Sequence, residues 1–437
     1  MNSKNTKNRV VITGIGPLTA GGSGTEEVWE SVKKCRTGIT NEEYEIGGES
    51  VGNYFVHRIK DFDIDRYGLD NQMLNEMREW KDGDEIVDNY YFLATIKMAI
   101  EDSGIDNRSI SSDRTGIILA HENIGHDHFY LKVINDLSFL GSDSADKPKS
   151  KKEFLSLFYK KFRKTGYELQ AFMPLYHIAK YFGIHGYSLF LNNACASGLY
   201  AIEAASDAIK SRKCERMIVA AVDQSNIFKQ IWFNEINMLA KDGKIKPFSS
   251  DRDGFTIGDG GAALVLEDME AATARNARIY AEYLGGAFNL EGWKVTYPDV
   301  SNDYYKKSIT NAIEASGLNT SDIDLVVPHG VGTSITDRYE AMALSGIFGK
   351  NSDRPIVTAF KPYVGHTLGS AALLETAIML LGLDDNVVPP TLNYEHSDNS
   401  LGIKVLKNMV SADDVDIAIK SACGFAGYNG ACVFKRM

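Results

Sequence analysis

A cysteine set between small residues and two histidines set beside glycines are the side chains of this sequence best placed to do chemistry. Cys195 lies in Leu191-Asn-Asn-Ala-Cys-Ala-Ser-Gly-Leu199, between a β-rich run and an Ala-rich helical pattern. A thiol at a helix N-terminus meets unpaired N–H groups and the positive end of the macrodipole. That setting favours thiolate over a reference pKa of about 8.5, and such a sulfur attacks thioesters. The same segment reads equally well as a packed core cysteine, since free cysteine is among the most buried residue types. Partners decide between the two. His329 stands in Val327-Pro-His-Gly-Val-Gly-Thr333 and His366 in Lys361-Pro-Tyr-Val-Gly-His-Thr-Leu-Gly369. A lone histidine beside glycine is more often structural. Two near strand ends, together with a cysteine elbow, point to one site, because ligand sites in open α/β sheets gather at the carboxyl ends of strands.

The elements that would carry these residues are short β-rich runs alternating with longer helical patterns, an α/β arrangement with strands covered by helices. Strands are expected at 9–15, 115–120, 187–191, 216–222 and 262–266, then at 278–287, 323–327, 356–358, 416–421 and 430–434. Five and five predict a duplicated fold joined near 267–275, without a residue-level repeat. The segments 196–210 and 368–383 are rich in Ala and Leu and read as buried central helices, one following Cys195 and the other His366.

The 437 residues, 44% hydrophobic and 24% charged, exclude a disulfide scaffold and wholesale disorder. A net charge of −11 argues against a whole-chain nucleic-acid binder. The five cysteines form no Cys-x-x-Cys pair, and no signal-like or membrane-spanning apolar run is present, which leads to a cytoplasmic expectation. The tract 147–164 reads as a basic amphipathic helix, with Lys160, Lys161 and Lys164 among its cations, and Lys241, Lys244 and Lys246 form a second basic cluster. Each suits an acidic partner, and each is equally a solvated surface. Thr13-Gly-Ile-Gly16 lacks the third glycine and the acidic residue of a dinucleotide loop.

Five motifs occur in order: Asn193-Ala-Cys-Ala-Ser-Gly198; Pro247-Phe-Ser-Ser-Asp-Arg-Asp-Gly-Phe-Thr-Ile-Gly-Asp-Gly-Gly261; His329-Gly-Val-Gly-Thr333 with Asp337 and Glu340; Lys361 to Gly369; and Gly424-Phe-Ala-Gly-Tyr-Asn429. Across nearly the whole chain they resemble the elongating β-ketoacyl-acyl carrier protein synthases, the condensing enzymes of the thiolase fold. The resemblance implies two five-stranded mixed sheets in an αβαβα arrangement. Residues 1–270 would form a half carrying Cys195, with an inserted helical cap around 121–185, and 271–437 a half carrying both histidines. It implies that Cys195 takes an acyl group, its carbonyl oxygen held by the N–H groups of Cys195 and Phe425. His329 and His366 would donate hydrogen bonds to the extender thioester as carbon dioxide leaves. Lys361 and Glu340 match a supporting ion pair, and Phe425 with Gly424 matches a gate. Thr333, Val331 and Ile124 would meet the substrate and its pantetheine arm, while the two lysine clusters would dock acyl carrier protein. No metal or cofactor is implied beyond the carrier's phosphopantetheine, and the expected assembly is a homodimer or a heterodimer with a chain-length partner.

Two departures stand out. Val331 replaces a threonine usual in the family, and the stretch 120–128, Ala-His-Glu-Asn-Ile-Gly-His-Asp-His, brings unusual polarity to the acyl-pocket region; its three histidines, His121, His126 and His128, are also weighed as a metal site and disfavoured on spacing. Two other readings share the fold. A thiolase would use Cys423 as its second cysteine, and a non-catalytic chain-length partner typically loses the nucleophile that Cys195 supplies here.

Overall fold

The computed structural model describes residues 9–46, 48–80, 86–137, 148 and 150–437. All ten expected runs are strands: β1 (Val10–Thr19), β2 (Thr115–Ala120), β3 (Ser188–Leu191), β4 (Arg216–Asp223), β5 (Gly260–Asp268), β6 (Ala281–Leu290), β7 (Leu325–Val327), β8 (Ile356–Val357), β9 (Ile417–Cys423) and β10 (Tyr428–Arg436). They pair in the order β8-β7-β9-β10-β6-β1-β5-β4-β2-β3, with a two-residue strand, Gly22–Ser23, added to β1. Numbered within its own half, each set of five runs 3-2-4-5-1, and in each the first two pairings are parallel and the last two antiparallel. The duplication thus lives in topology. One expectation is corrected: the halves are not separate sheets. β1 and β6 pair antiparallel through Val10↔Tyr283, Val11↔Glu282 and Ile12↔Ala281, making one continuous sheet.

The helices that bear on the site are α1 (Val87–Ser103), α2 (His126–Leu137), α3 (Lys151–Glu168), α4 (Phe172–Phe182), α5 (Ser197–Lys210), α6 (Ile227–Glu235), α7 (Asp303–Ala315), α8 (Ser334–Phe348) and α9 (Ala371–Asp384). The stretch 121–185 holds α2, α3 and α4. Helix α3 is the expected basic helix, started by Ser150, whose hydroxyl accepts from Glu153 N–H; Lys147 and residue 149 lie outside the described residues.

Strand alternation builds the layers, because successive side chains point to opposite faces. In β2, Ile117 and Leu119 pack with Phe92 and Ile96 of α1, whereas Ile118 and Ala120 face inward. In β9, Ile417 and Ile419 pack with Ile309 of α7 and Leu344 of α8, whereas Ala418 and Ala422 face inward. The inward faces of both halves share one core with Leu199 and Ile202 of α5 and Leu373 and Ile378 of α9. The result is five layers, helix, sheet half, helix pair, sheet half, helix. Helix α9 is buried on all sides from Ala371 to Leu383, as an all-round apolar helix must be. The close approach of the central pair depends on Gly198, where a Cβ would stand 2.6 Å from Leu373 N.

Candidate active site

Cys195 and His329 sit just beyond strand ends, and His366 nine residues past one. After β3 the chain turns through Ala194, held at φ 49, and enters α5 two residues beyond Cys195. Ser197 closes this elbow: its hydroxyl donates to Ala194 O at 2.6 Å and accepts from Asn193 N–H at 2.8 Å. A non-glycine residue held at positive φ stores strain, a feature that clusters at functional sites. His329 follows β7. His366 follows β8 by way of the short helix Lys361–Val364 and Gly365, at φ 79.

The glycine-rich segment 247–261 fixes both histidine loops. Thr256 O accepts from His366 N–H at 2.8 Å, Gly258 N–H donates to His366 O at 3.1 Å, and Gly254 N–H donates to Gly332 O at 3.0 Å. Asp337 ties the same segment to the His329 loop, accepting from Phe248 N–H at 2.6 Å and Gly332 N–H at 3.0 Å.

Cys195 Sγ lies 3.3 Å from His366 Nε2, and the rings of His329 and His366 stand edge to face at 5.3 Å. Ligating atoms of all three residues lie within 4.8 Å of one another, and all three are buried. They share a cavity of about 520 Å³ with Phe228, Trp232, Phe233, Phe255 and Phe425. Thr333 and Val331 line it, and Thr333 Oγ1 is buried with no hydrogen-bond partner among the described residues. Ile124 does not line it: its side chain packs in the outer core against α1, a correction to the expected substrate contact. Phe425 touches Trp232 and Phe233, with ring centroids 5.7 and 5.9 Å away. Gly424, Ala426 and Gly427 N–H donate to Tyr428 O, Val295 O and Gly424 O, and the N–H groups of Cys195 and Phe425 take no part in the loop's backbone bonds. Gly424 sits against the nucleophile, where a Cβ would stand 3.2 Å from Cys195 N. Cys423 also lines the cavity, with its thiol pushed far up by burial and the Glu340 charge.

Beneath His329 lies a buried charge cluster. Lys361 Nζ donates to His329 O and to Glu375 Oε1, both at 2.6 Å, and faces His329 Nδ1 at 3.3 Å. The expected Lys361–Glu340 ion pair is therefore corrected: the carboxylate partner is Glu375 of α9. Glu340 instead receives His329 N–H and Gly330 N–H, each at 2.7 Å, and Tyr305 O–H at 2.6 Å, bracing the His329 loop. Lys420 of β9, also unforeseen, pairs with Glu375 and donates to Pro328 O at 2.8 Å and Ser421 O at 2.9 Å. A lone acid in the apolar run of α9 was the available signal for Glu375, since a buried charge must be paired. Asp337 and Glu340, which alone would read as a solvated helix face, are fully buried. Removing Glu340 strands two backbone donors and leaves the Tyr305 hydroxyl with Ser421 alone. Glu340→Ala is expected to lower stability by about 3–5 kcal/mol, read as a shifted urea midpoint; an unchanged midpoint contradicts the bracing role.

The electrostatics also correct the thiolate expectation. Burial, reinforced by the Glu122 carboxylate, pushes the Cys195 thiol well up, so the resting group is S–H despite its place before α5. Burial, together with Lys361, pushes both imidazoles well below their ordinary value, leaving them neutral near pH 7. A raised thiol exposes thiolate only as pH climbs toward it. Iodoacetamide alkylation of Cys195 is expected to keep rising about tenfold per pH unit through pH 9; a plateau below pH 8 would restore the activated thiolate.

Of the basic residues, Lys160, Lys241 and Lys244 are exposed. Lys246 is engaged by Asp242 at 2.9 Å and Asp251 at 3.5 Å, so its charge is largely met within the chain. The side chains of Lys161 and Lys164 lie outside the described residues. His121, His126 and His128 form no metal-ligand group among the described residues. None of the described helices is long and apolar enough to cross a membrane.

Known proteins agree with this layout. Residues 7–272 match the model of the β-ketoacyl synthase N-terminal domain, and 280–395 that of the β-ketoacyl synthase C-terminal domain. Over 99% of both chains, the sequence is 25% identical to 3-oxoacyl-[acyl-carrier-protein] synthase 2 of Coxiella burnetii, and it is 26% identical to nodulation protein E of a Rhizobium species over 98% of this chain and 99% of that one. The fold is shared with the ishigamide ketosynthase/chain length factor (TM-score 0.84, 24% identity, 99% of this chain and 100% of that one). It is shared too with the ketosynthase of a type II polyketide synthase in complex with its acyl-carrier protein, AntDE:AntF (TM-score 0.77, 22% identity, 99% and 100%). With a nucleophile elbow, two neutral imidazoles in one cavity and both family domains in sequence order, this chain belongs to the β-ketoacyl synthase family.

Proposed function

We propose that this β-ketoacyl synthase elongates an acyl chain held on Cys195 by decarboxylative condensation with a malonyl group on acyl carrier protein, in fatty-acid or polyketide synthesis. The observation that carries the proposal is the convergence of Cys195 Sγ, His329 and His366 in one buried cavity. In acyl transfer, sulfur attacks the incoming thioester carbonyl while its proton passes to His366 Nε2 and on to the departing pantetheine sulfur. The N–H groups of Cys195 and Phe425 stabilise the oxyanion.

In condensation the proton on His329 matters. The three ammonium N–H groups of Lys361 meet His329 O, Glu375 and His329 Nδ1, so Nδ1 accepts and Nε2 carries the hydrogen. His329 is thereby a fixed donor. His366 Nδ1 has no hydrogen-bond partner among the described residues, so none of them locks its tautomer, and its Nε2 serves as acceptor in acyl transfer and as donor in condensation. As carbon dioxide leaves the malonyl thioester, the enolate oxygen rests between the two Nε2–H groups. Its carbon attacks acyl-Cys195, and the tetrahedral adduct expels the sulfur as thiolate, which takes a proton from solvent.

In this reading the chain divides at 270/271, Thr333 holds the pantetheine arm in place of the hydroxyl that Val331 lacks, and Phe425 gates the acyl side. Lys160, Lys241 and Lys244 are the carrier-docking cations. The protein acts in the cytoplasm without a metal or further cofactor, as a dimer with itself or with a chain-length subunit.

The test is product formation. Given an acyl thioester and malonyl-acyl carrier protein, the protein should release carbon dioxide and form the 3-oxoacyl product two carbons longer, seen by mass spectrometry. A product formed from two acetyl-CoA molecules without malonate would instead favour thiolase chemistry through Cys423.

A further inference from the structure

Of the polar stretch Ala120 to His128, Glu122 and Asn123 line the cavity that holds the nucleophile. His121 is buried; its Nδ1 accepts from Asn123 N–H at 2.9 Å, and its Nε2 faces Asp88 Oδ1 of α1 at 3.4 Å. Asp223, the last residue of β4, is also buried and pairs with Lys229 Nζ of α6, which donates to Gln224 O at 2.9 Å. Asp88 faces His121 and Asp223 pairs with Lys229, though Asp223 Oδ2 has no hydrogen-bond partner among the described residues. Glu122 stands beside them, within the field of Lys229. Its side chain lines the cavity with Phe228, Lys229 and Trp232, and its carboxyl makes no hydrogen bond or ion pair among the described residues.

Gly369, three residues past His366, allows this placement: a Cβ there would stand 3.1 Å from Glu122 Cγ and 3.4 Å from Asp223 Oδ2. Two carboxyl groups thus flank one point of the wall. Burial and the neighbouring Asp223 push the Glu122 carboxyl up to about 7, and Asp127 at the start of α2 lies within the same field, likewise raised by burial and the Asp88 charge. A carboxyl that loses water without gaining a partner is costly, and a saturated chain end laid against half-buried Glu122 imposes that cost. Phe228, Trp232 and Phe233 put aromatic surface in the same cavity.

We infer that the acyl group accepted by Cys195 carries a hydrogen-bond donor, a hydroxyl or an amine on its chain, which Glu122 receives. This specificity role rests on the acyl-Cys195 reading above. A site built to pair with a substrate donor rejects the analogue lacking it, because its own buried group is then left unpaired.

The experiment offers the full-length protein matched N-acetylcysteamine thioesters, plain and ω-hydroxylated, of four to ten carbons, and follows acylation of Cys195 by intact mass. Scanning the length moves the hydroxyl past Glu122. At one or more lengths the hydroxylated member should acylate about 10- to 100-fold faster than its plain partner. Glu122→Leu should invert that preference, and Glu122→Gln, which keeps the shape and an acceptor oxygen, should retain part of it. A wild-type preference for plain chains at every length, or equal rates throughout, overturns the inference. So does a hydroxyl preference that survives Glu122→Leu. Acylation by neither series overturns the ketosynthase reading itself, a result distinct from acylation with the wrong preference.

Discussion

Cys195→Ala protein mixed with an acyl thioester is expected to gain no mass, and its condensation rate should fall by at least about four orders of magnitude, the scale seen when a covalent nucleophile is removed. The reason is geometric. Sγ is the nucleophilic atom, set just past the elbow and 3.3 Å from His366 Nε2. Cys423 lines the same cavity but lies outside the cluster that Cys195 forms with His329 and His366. Slow decarboxylation of malonyl thioester should persist in Cys195→Ala, since both imidazole donors remain. Acyl transfer surviving the substitution would remove the sulfur from its assigned role.

The second large effect separates the two histidines. His329→Ala removes the donor whose tautomer Lys361 fixes, and one lost donor to a developing oxyanion costs about 10²- to 10³-fold. Its acylation of Cys195 should proceed near the wild-type rate, because His329 is not the ring beside Sγ. His366→Ala, which takes the ring 3.3 Å from Sγ, should slow both half-reactions. Single-turnover acylation and malonyl decarboxylation, measured separately on each variant, check the split. Equal losses in both half-reactions for His329→Ala would contradict it.

Much of this was legible before any coordinates, for local reasons. All ten main strands are β-branched or apolar runs bounded by turn residues, and α9 is apolar throughout, so its burial follows from composition. The site triad was legible because each member follows a strand and sits beside glycine or small residues. What escaped depends on contacts between distant segments. The β1–β6 pairing that merges the halves joins residues about 270 apart and leaves no local mark. Glu340 and Glu375 are both acids on helices after a histidine, and only the packing of α9 against the Lys361 loop decides which pairs with the lysine. Lys420 sits in a strand where alternation would allow an exposed face, yet both faces of β9 are covered. The thiolate expectation weighed a helix end and omitted the burial that the central layer imposes. The polarity of 120–128 was visible in the sequence, but the meeting of Glu122 with Asp223 and Lys229 is tertiary.

The most direct test of the central claim is a two-step mass measurement on one sample. Incubation with an acyl thioester should add the acyl mass to the peptide containing Cys195. Subsequent malonyl-acyl carrier protein should discharge that mass as a 3-oxoacyl product two carbons longer while carbon dioxide is released. Acyl mass found on another residue, or remaining on Cys195 after the malonyl thioester is consumed, would contradict the account.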